Sequence, residues 1–427
     1  MAMNVFDVDG SCLECRIGTE RLRIEPLGAS AVRVRATKNN RFDDDLPSGL
    51  LPEAPRPRAP KIRINKHRAS VTNGSLRAVI RHVPRGLAPA LEISFEETDT
   101  GKVLLAEQMP HILYPNTRNF DAIDGALWRI EATFHAHSEE RFYGLGQHQH
   151  GRLNQKGCVI DLLQMNTEVV IPFLVSSRGY GLIWNNPGTG RVELAENRTR
   201  WVLDASPQLD YVVISGSEPA RILEGYAELT GRPPEMPGWA LGFWQCKLRY
   251  STQDEVLRIA REYHRRGIPV SCFVIDFFNW TRGGEWKIDR EAFPDPAAMV
   301  AELEAMGMRP MISVWPAVNS NAENFAEMRN AGFLVEHRRG VQASSVFVDA
   351  NSDGVVPLSF YDATNPDARH YHWARVREGY VRHGFGAFWL ASRWRTFSRS
   401  SGPSPVRKVG PCTAAATVCV SPSAAAV

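Results

Sequence analysis

The 427-residue sequence predicts a multidomain β plus α/β protein: an N-terminal β-sandwich followed by the first half of a (β/α)8 barrel. Three observations carry this. Residues 1–235 consist of short apolar-alternating segments broken by turn residues, the pattern of antiparallel sheets. Residues 236–390 instead alternate strand and helix, which implies parallel strands joined by right-handed crossovers. The strands of this second region end on Asp276, Trp315 and Trp389. Functional side chains at the carboxyl ends of successive strands suit a barrel, although a doubly wound sheet presents its crevice there too.

In the first region Val32 and Val34 alternate with Arg33 and Arg35, and Leu91, Ile93 and Phe95 alternate with polar neighbours. Asn73-Gly74 separates two apolar segments and signals a hairpin, because both residues tolerate positive φ. Asp99-Thr100-Gly101 offers a second turn, and residues 47–60, with five prolines, read as an exposed loop. The segment Phe142-Tyr143-Gly144-Leu145-Gly146-Gln147-His148-Gln149-His150 combines glycines, aromatics and two histidines. No third glycine opens a helix after it, so it is not a dinucleotide fingerprint. Two histidines alone are a poor metal site, and a turn at a pocket rim is the expectation. The stretch around Tyr180 and Trp184 reads as strand, turn and core.

The second region opens on an apolar run at 241–244. Ser251-Thr252-Gln253-Asp254-Glu255 contains two overlapping capping boxes, and Val256, Ile259, Ala260 and Tyr263 then recur at helical spacing up to Gly267. Strands are expected at 270–275, 311–315 and 385–390. Helices are expected from Pro296, over 321–330, and over 366–383 before Gly384. Half a barrel should leave its inward face, expected to bear Phe273, Ile275, Ile312 and Val314, without an opposing wall.

Composition narrows the function classes. With 43% hydrophobic and 23% charged residues the chain is of ordinary soluble type, and a net charge of +3 argues for neither nucleic acid nor membrane partners. Seven cysteines are scattered, and Cys12-x-x-Cys15 lacks the second pair of a zinc site, so no metal is expected and the thiols read as free. The polar start, with Asp7, Asp9 and Glu14, and the lack of a long apolar run point to a cytoplasmic location.

The second region and part of the first resemble glycoside hydrolase family 31, the family of α-xylosidases and α-glucosidases. The resemblance runs over residues 141–390. It rests on Phe142-Tyr143-Gly144-Leu145-Gly146, Pro172-Phe173-Leu174-Val175-Ser176 and Pro237-Gly238-Trp239-Ala240-Leu241-Gly242-Phe243-Trp244-Gln245. It continues through Arg249-Tyr250, Ile275-Asp276-Phe277-Phe278-Asn279-Trp280, Phe293-Pro294-Asp295-Pro296, Thr364-Asn365-Pro366 and Gly386-Ala387-Phe388-Trp389-Leu390. It implies a galactose mutarotase-like sandwich over 1–235, a catalytic barrel from 236, and a retaining mechanism with two Asp residues and no cofactor. In that chemistry one carboxylate attacks the anomeric carbon while the other protonates the leaving oxygen.

The resemblance places the nucleophile directly after Phe388-Trp389-Leu390, where this chain has Ala391. Residues 391–427 contain no Asp or Glu, carry five basic residues, and show no periodic apolar face. The catalytic list is therefore empty, and the acid/base with the later barrel strands is missing from the pattern. A reading-frame slip after Leu390 is the expectation, with a disordered, basic interaction tail as its rival. The implied partner is a small carbohydrate or oligosaccharide. Asp276 is the first candidate to receive sugar hydroxyls, and Trp315 and Trp389 are candidate apolar walls, with barrel core as their alternative role. Phe243, Phe278 and Trp280 resemble residues lining the subsite of the non-reducing sugar, where bulk favours a xyloside over a glucoside. Lys247, Arg249 and Tyr250 are as readily a solvated face. The expected function is a family-level α-glycosidase whose present chain does not turn over. The alternatives are a non-catalytic carbohydrate-binding remnant and a functionless truncation product.

Overall fold

The computed structural model describes residues 5–57, 60–83, 90–109, 117–164, 168–336, 342–390 and 417–420. It divides into two compact units, residues 1–163 with 167–233, and residues 164–166 with 234–427. Among the described residues no helix is long and apolar enough to cross a membrane.

The first unit is built from three antiparallel sheets. Eight strands form the largest, with Ala31–Thr37 and Leu209–Ser215 adjacent at its centre and Phe6–Asp9 and Phe142–Gln147 at its edges. Two five-stranded sheets, 61–106 and one spanning Arg118–Asp124 to Arg198–Ser206 with Val159–Leu162, supply the opposing faces. Alternation sends one side chain in two inward, so Ile24 and Val34, Ile80 and Phe95, and Phe134 and Leu203 meet in one core. Tyr211 stands edge-on to both Phe95 and Phe134, at 6.3 and 5.5 Å. The Asn73-Gly74 hairpin forms as expected. A side chain on Gly74 would meet the carbonyl of Ala29 at 2.1 Å.

The glycine-rich segment departs from expectation. It is a bulged strand, Phe142–Gln147, paired with Val169–Ser176. Gly144 and Gly146 take φ of 97° and 100° at the bulge, and a Cβ on Gly146 would lie 1.9 Å from the carbonyl of Val169. The glycines serve close backbone pairing. His148 is engaged with the Leu145 carbonyl at 3.0 Å and lies 3.5 Å from the Glu168 carboxylate.

The second unit holds four parallel strands, Trp244–Cys246, Cys272–Ile275, Arg309–Val314 and Ala387–Leu390, in that spatial order. Among the described residues the barrel is not closed. A short strand, Thr417–Val420, pairs antiparallel with the fourth. Helices Gln253–Arg265, Pro296–Ala305, Phe325–Asn330 and Pro366–Gly379 fill the crossovers. Thr252 Oγ1 accepts from the Glu255 amide and caps the first helix, while the Glu255 carboxylate accepts from the Ser251 amide, one residue before the cap that a capping box would use. Asp295 and Asn365 cap the helices that begin at Pro296 and Pro366.

Three features differ from the sequence expectation. A 3-10 turn, Gly238–Leu241, occupies part of the first apolar run, and the strand begins at Trp244. The third helix is only Phe325–Asn330, and an antiparallel sheet of Ala317–Asn319, Val355–Phe360 and Ser344–Val348 is inserted before the fourth strand. The facing of the parallel sheet is also the reverse of that expected. Phe273, Ile275, Ile312 and Val314 pack outward with helix residues Val256, Ala260, Met299 and Leu303. The opposite face carries Cys272, Val274, Met311 and Ala387, all buried under Trp239, Trp244 and Trp389. The expected bare apolar wall is therefore closed over by indole rings.

In the first unit Arg118 and Glu107 are both buried and ion-paired, and Arg118 also holds Glu20 at 2.7 Å and the Leu91 carbonyl at 3.0 Å. Removing one partner of such a pair leaves the other as an uncompensated buried charge. Arg118→Ala is expected to lower the unfolding free energy of the sandwich by about 3–5 kcal/mol. Urea denaturation checks this, and a loss within ~0.5 kcal/mol, as for an ordinary surface substitution, would contradict it.

Candidate functional site

Side chains alternate across each parallel strand, so the face that carries Cys272 and Val274 also receives the next residue of that parity, Asp276. Asp276 is half-buried. Its Oδ1 accepts from the Phe277 amide at 2.7 Å. Burial pushes its carboxyl above the usual carboxylate range, and the Phe277 amide and the Ser313 hydroxyl oppose this only partly. The Cys246 thiol, of matching parity on the first strand, is pushed up by burial and then by the negative charge of Asp276. Among the described residues no cation pairs with Asp276, so its remaining lone pairs are open to the hydroxyls of a neutral polyhydroxy ligand.

Aromatic rings gather beside it. Phe277 stacks on Trp315 with centroids 5.4 Å apart and planes at 26°. Phe278 stands edge-on to Phe277 at 4.7 Å and to Trp280 at 6.1 Å, and Trp280 lies 5.6 Å from Trp315. Phe278 adopts φ +62°, which is costly for a bulky residue and turns the chain sharply after the strand. The Arg249 guanidinium sits 5.5 Å from the Phe278 ring centre. The Trp315 indole nitrogen is buried and has no hydrogen-bond partner among the described residues.

Of the residues singled out from sequence, Asp276, Phe278, Trp280 and Trp315 come together. Trp389 lies one layer away, edge-on to Trp244 at 6.4 Å over Cys272 and Val274. Phe243 does not join them. It has the opposite parity, is 49% exposed, and leans on Tyr263 of the first helix at 6.0 Å. Lys247 ion-pairs with Glu255 at the helix start, while Arg249 reaches the aromatic group. Ala391 lies outside the described residues. Sequence reasoning missed Asp349, which is buried and accepts from the Trp280 indole nitrogen at 3.1 Å. No local signal marks it, because it sits 69 residues downstream of Trp280, just after the strand Ser344–Val348. Among the described residues no group of three or more His, Cys, Asp or Glu could hold a metal ion.

Residues 21–193 match the glycosyl hydrolase 31 N-terminal galactose mutarotase-like domain, and residues 233–408 match the glycosyl hydrolases family 31 TIM-barrel domain. An uncharacterised family 31 glucosidase of Pseudescherichia vulneris is 38% identical over 391 residues, covering 89% of this chain and 72% of that protein. The chain belongs to glycoside hydrolase family 31. Within the family, α-xylosidase A of Aspergillus niger is 34% identical over 270 residues, 62% of this chain and 36% of that enzyme. The crystal structure of a GH31 α-xylosidase from a soil metagenome, complexed with xylose, superposes with a TM-score of 0.80 at 37% identity. That match covers 90% of this chain and 57% of the other, so the chain spans only about half the length of that solved relative.

The raised pKa of Asp276 has a consequence for stability. The folded state resists its ionisation, so stability is full in acid and is lost as pH rises through the folded pKa. Asp276→Asn should raise the urea midpoint of the barrel unit at about pH 7 and leave it unchanged at about pH 3. A lower midpoint for the variant at neutral pH would show that the carboxylate is stabilising there.

Proposed function

We propose that this chain is built as a family 31 α-glycosidase for terminal α-linked sugars, α-xylosides before α-glucosides, and that it binds such sugars without hydrolysing them. The observation that carries the reading is the half-buried Asp276 set beside Phe277, Phe278, Trp280 and Trp315 at the carboxyl end of the second and third parallel strands. A pyranose offers apolar C–H faces for aromatic walls and vicinal hydroxyls for a carboxylate, and this group supplies both. The bulk of Phe278, backed by the buried Trp280, leaves less room for a hydroxymethyl substituent, which xylose lacks. Phe243 adds nothing to that preference, because it leans on the outer helix. The names of the A. niger and soil-metagenome relatives, and the xylose bound to the latter, support the same sugar class.

Retaining hydrolysis needs a nucleophile and an acid/base about 5–5.5 Å apart. The resemblance puts the nucleophile where this chain has Ala391, and no Asp or Glu follows in residues 391–427. Without a nucleophile at that position no glycosyl-enzyme forms.

Titrating the chain with xylose and with glucose, followed by tryptophan fluorescence, tests binding; release of chromophore from an aryl α-xyloside tests turnover. The expected outcome is tighter binding of xylose, its loss in Asp276→Ala, and release at the uncatalysed rate. Turnover that disappears in Asp276→Ala would show a working enzyme, and no response to either sugar would leave a chain without this function.

A further inference from the structure

Asp349 follows the strand Ser344–Val348 of the inserted sheet and is 7% exposed. Its Oδ1 accepts from the Trp280 indole nitrogen at 3.1 Å and the Ala350 amide at 2.8 Å. Its Oδ2 accepts from the Gly283 amide at 2.9 Å and the Asn319 side-chain amide at 2.7 Å. An ionised carboxylate has about four lone-pair sites, so all of its accepting capacity is used inside the protein. It has none to offer a sugar or a reacting atom. The donors come from separate segments: the loop after the second parallel strand, the strand Ala317–Asn319, and the residue after Asp349 itself.

The same loop is pressed against the inserted sheet by its backbone. The Asn319 amide donates to the Gly283 carbonyl at 2.9 Å, and the Asn324 side chain donates to the Gly284 carbonyl at 2.8 Å. Gly284 has φ +91°, and a Cβ there would lie 2.6 Å from the Val318 side chain. Two independent devices, a filled carboxylate and a side-chain-free contact, thus latch this loop onto one strand.

We infer that Asp349 is a positioning residue for the sugar site: it holds the buried Trp280 and the loop 277–286 against the inserted sheet, so that the indole is a fixed backing for the partly exposed Phe278 and Trp315. The inference rests on the sugar-site reading for its effect on binding. The inserted sheet then becomes part of the recognition apparatus, although none of its side chains needs to touch sugar. Asp349→Asn keeps the shape but replaces one acceptor oxygen by an NH2 donor, which must face two of the four donors.

The experiment uses the full chain with Asp349→Asn, Trp280→Phe and the double variant. Xylose titration, near-ultraviolet circular dichroism and amide exchange at Gly283 and Ala350 are the readouts. Asp349→Asn is expected to weaken xylose binding about tenfold, as one lost buried acceptor does. It should also alter the tryptophan circular dichroism and speed exchange at both amides, while the urea midpoint of the first unit stays at the wild-type value. In the Trp280→Phe background the same change should cost little further affinity, because the ring it positions has lost its N–H anchor. Additive losses, or wild-type affinity in Asp349→Asn, would overturn the inference. If the wild-type chain binds no xylose, the sugar reading fails, while unchanged exchange and circular dichroism in Asp349→Asn would separately refute the latch. Should Asp349→Asn not fold, Gly284→Ala breaks the same latch from its other side. The same shift in exchange is expected, and its absence would count against the inference.

Discussion

The two-residue period of the parallel strands is the constraint on which the barrel unit depends. Register fixes which of two interleaved sets of side chains meets the helices and which meets the axis. Phe273, Ile275, Ile312, Val314 and Phe388 form the helix-facing set, a large apolar layer with the helix residues. The intervening set is small at its base, with Cys272, Val274, Met311 and Ala387, and grows larger toward the carboxyl ends with Asp276, Trp315 and Trp389. Shifting the second strand by one residue would bring Cys272, Val274 and Asp276 into the helix layer in place of Phe273 and Ile275. Burying an unpaired carboxylate there would cost several kcal/mol, so the apolar layer and the position of Asp276 are enforced together.

Tryptophan plays two parts in this unit. Trp239, Trp244 and Trp389 cover the small-residue base of the inner face, where their value is the apolar area they remove from water. Trp280 and Trp315 stand higher, beside Phe277 and Phe278. The Trp280 nitrogen is held by Asp349, and the Trp315 carbonyl accepts from the Trp286 indole at 2.8 Å. The first group packs over the sheet face, whereas in the second the Trp280 ring is held by its indole hydrogen bond and the Trp315 ring by stacking on Phe277. Such control of orientation matters for a ligand that must stack, because a stacking contact is lost when a ring rotates.

The sandwich follows a different economy. Its core joins three sheets through aliphatic residues and the Phe95, Tyr211 and Phe134 aromatic group, with buried ion pairs that include Glu107, Arg118 and Glu20 and also Arg35 with Glu25. Tyr211 touches both the aromatic group and, at 3.4 Å, the Glu107 carboxylate. Buried charges of this kind contribute little net stability when paired and much instability when unpaired, so they specify which strands may assemble.

Local chemistry in the sequence was enough to determine the change from sandwich to barrel, the Asn73-Gly74 hairpin, the capped helices at Thr252, Asp295 and Asn365, and the place of Asp276 at a strand end. Each depends on residues within a few positions of one another, where turn propensity, capping and periodicity act. The family resemblance was legible in ordered motifs for the same reason. Tertiary structure decided what depends on register and long separation. Phe243 read as a pocket residue within an apolar run, and only strand pairing from Trp244 and the contact with Tyr263 decided which face it took. Phe273 and Ile275 could be read as inward until the helices claimed them. The inserted sheet was invisible because its strands are short and polar neighbours interrupt them, and Asp349 was invisible because its donors lie up to 69 residues away. A carboxylate's worth as an anchor is set by which N–H groups the fold brings to it, and no local pattern encodes that.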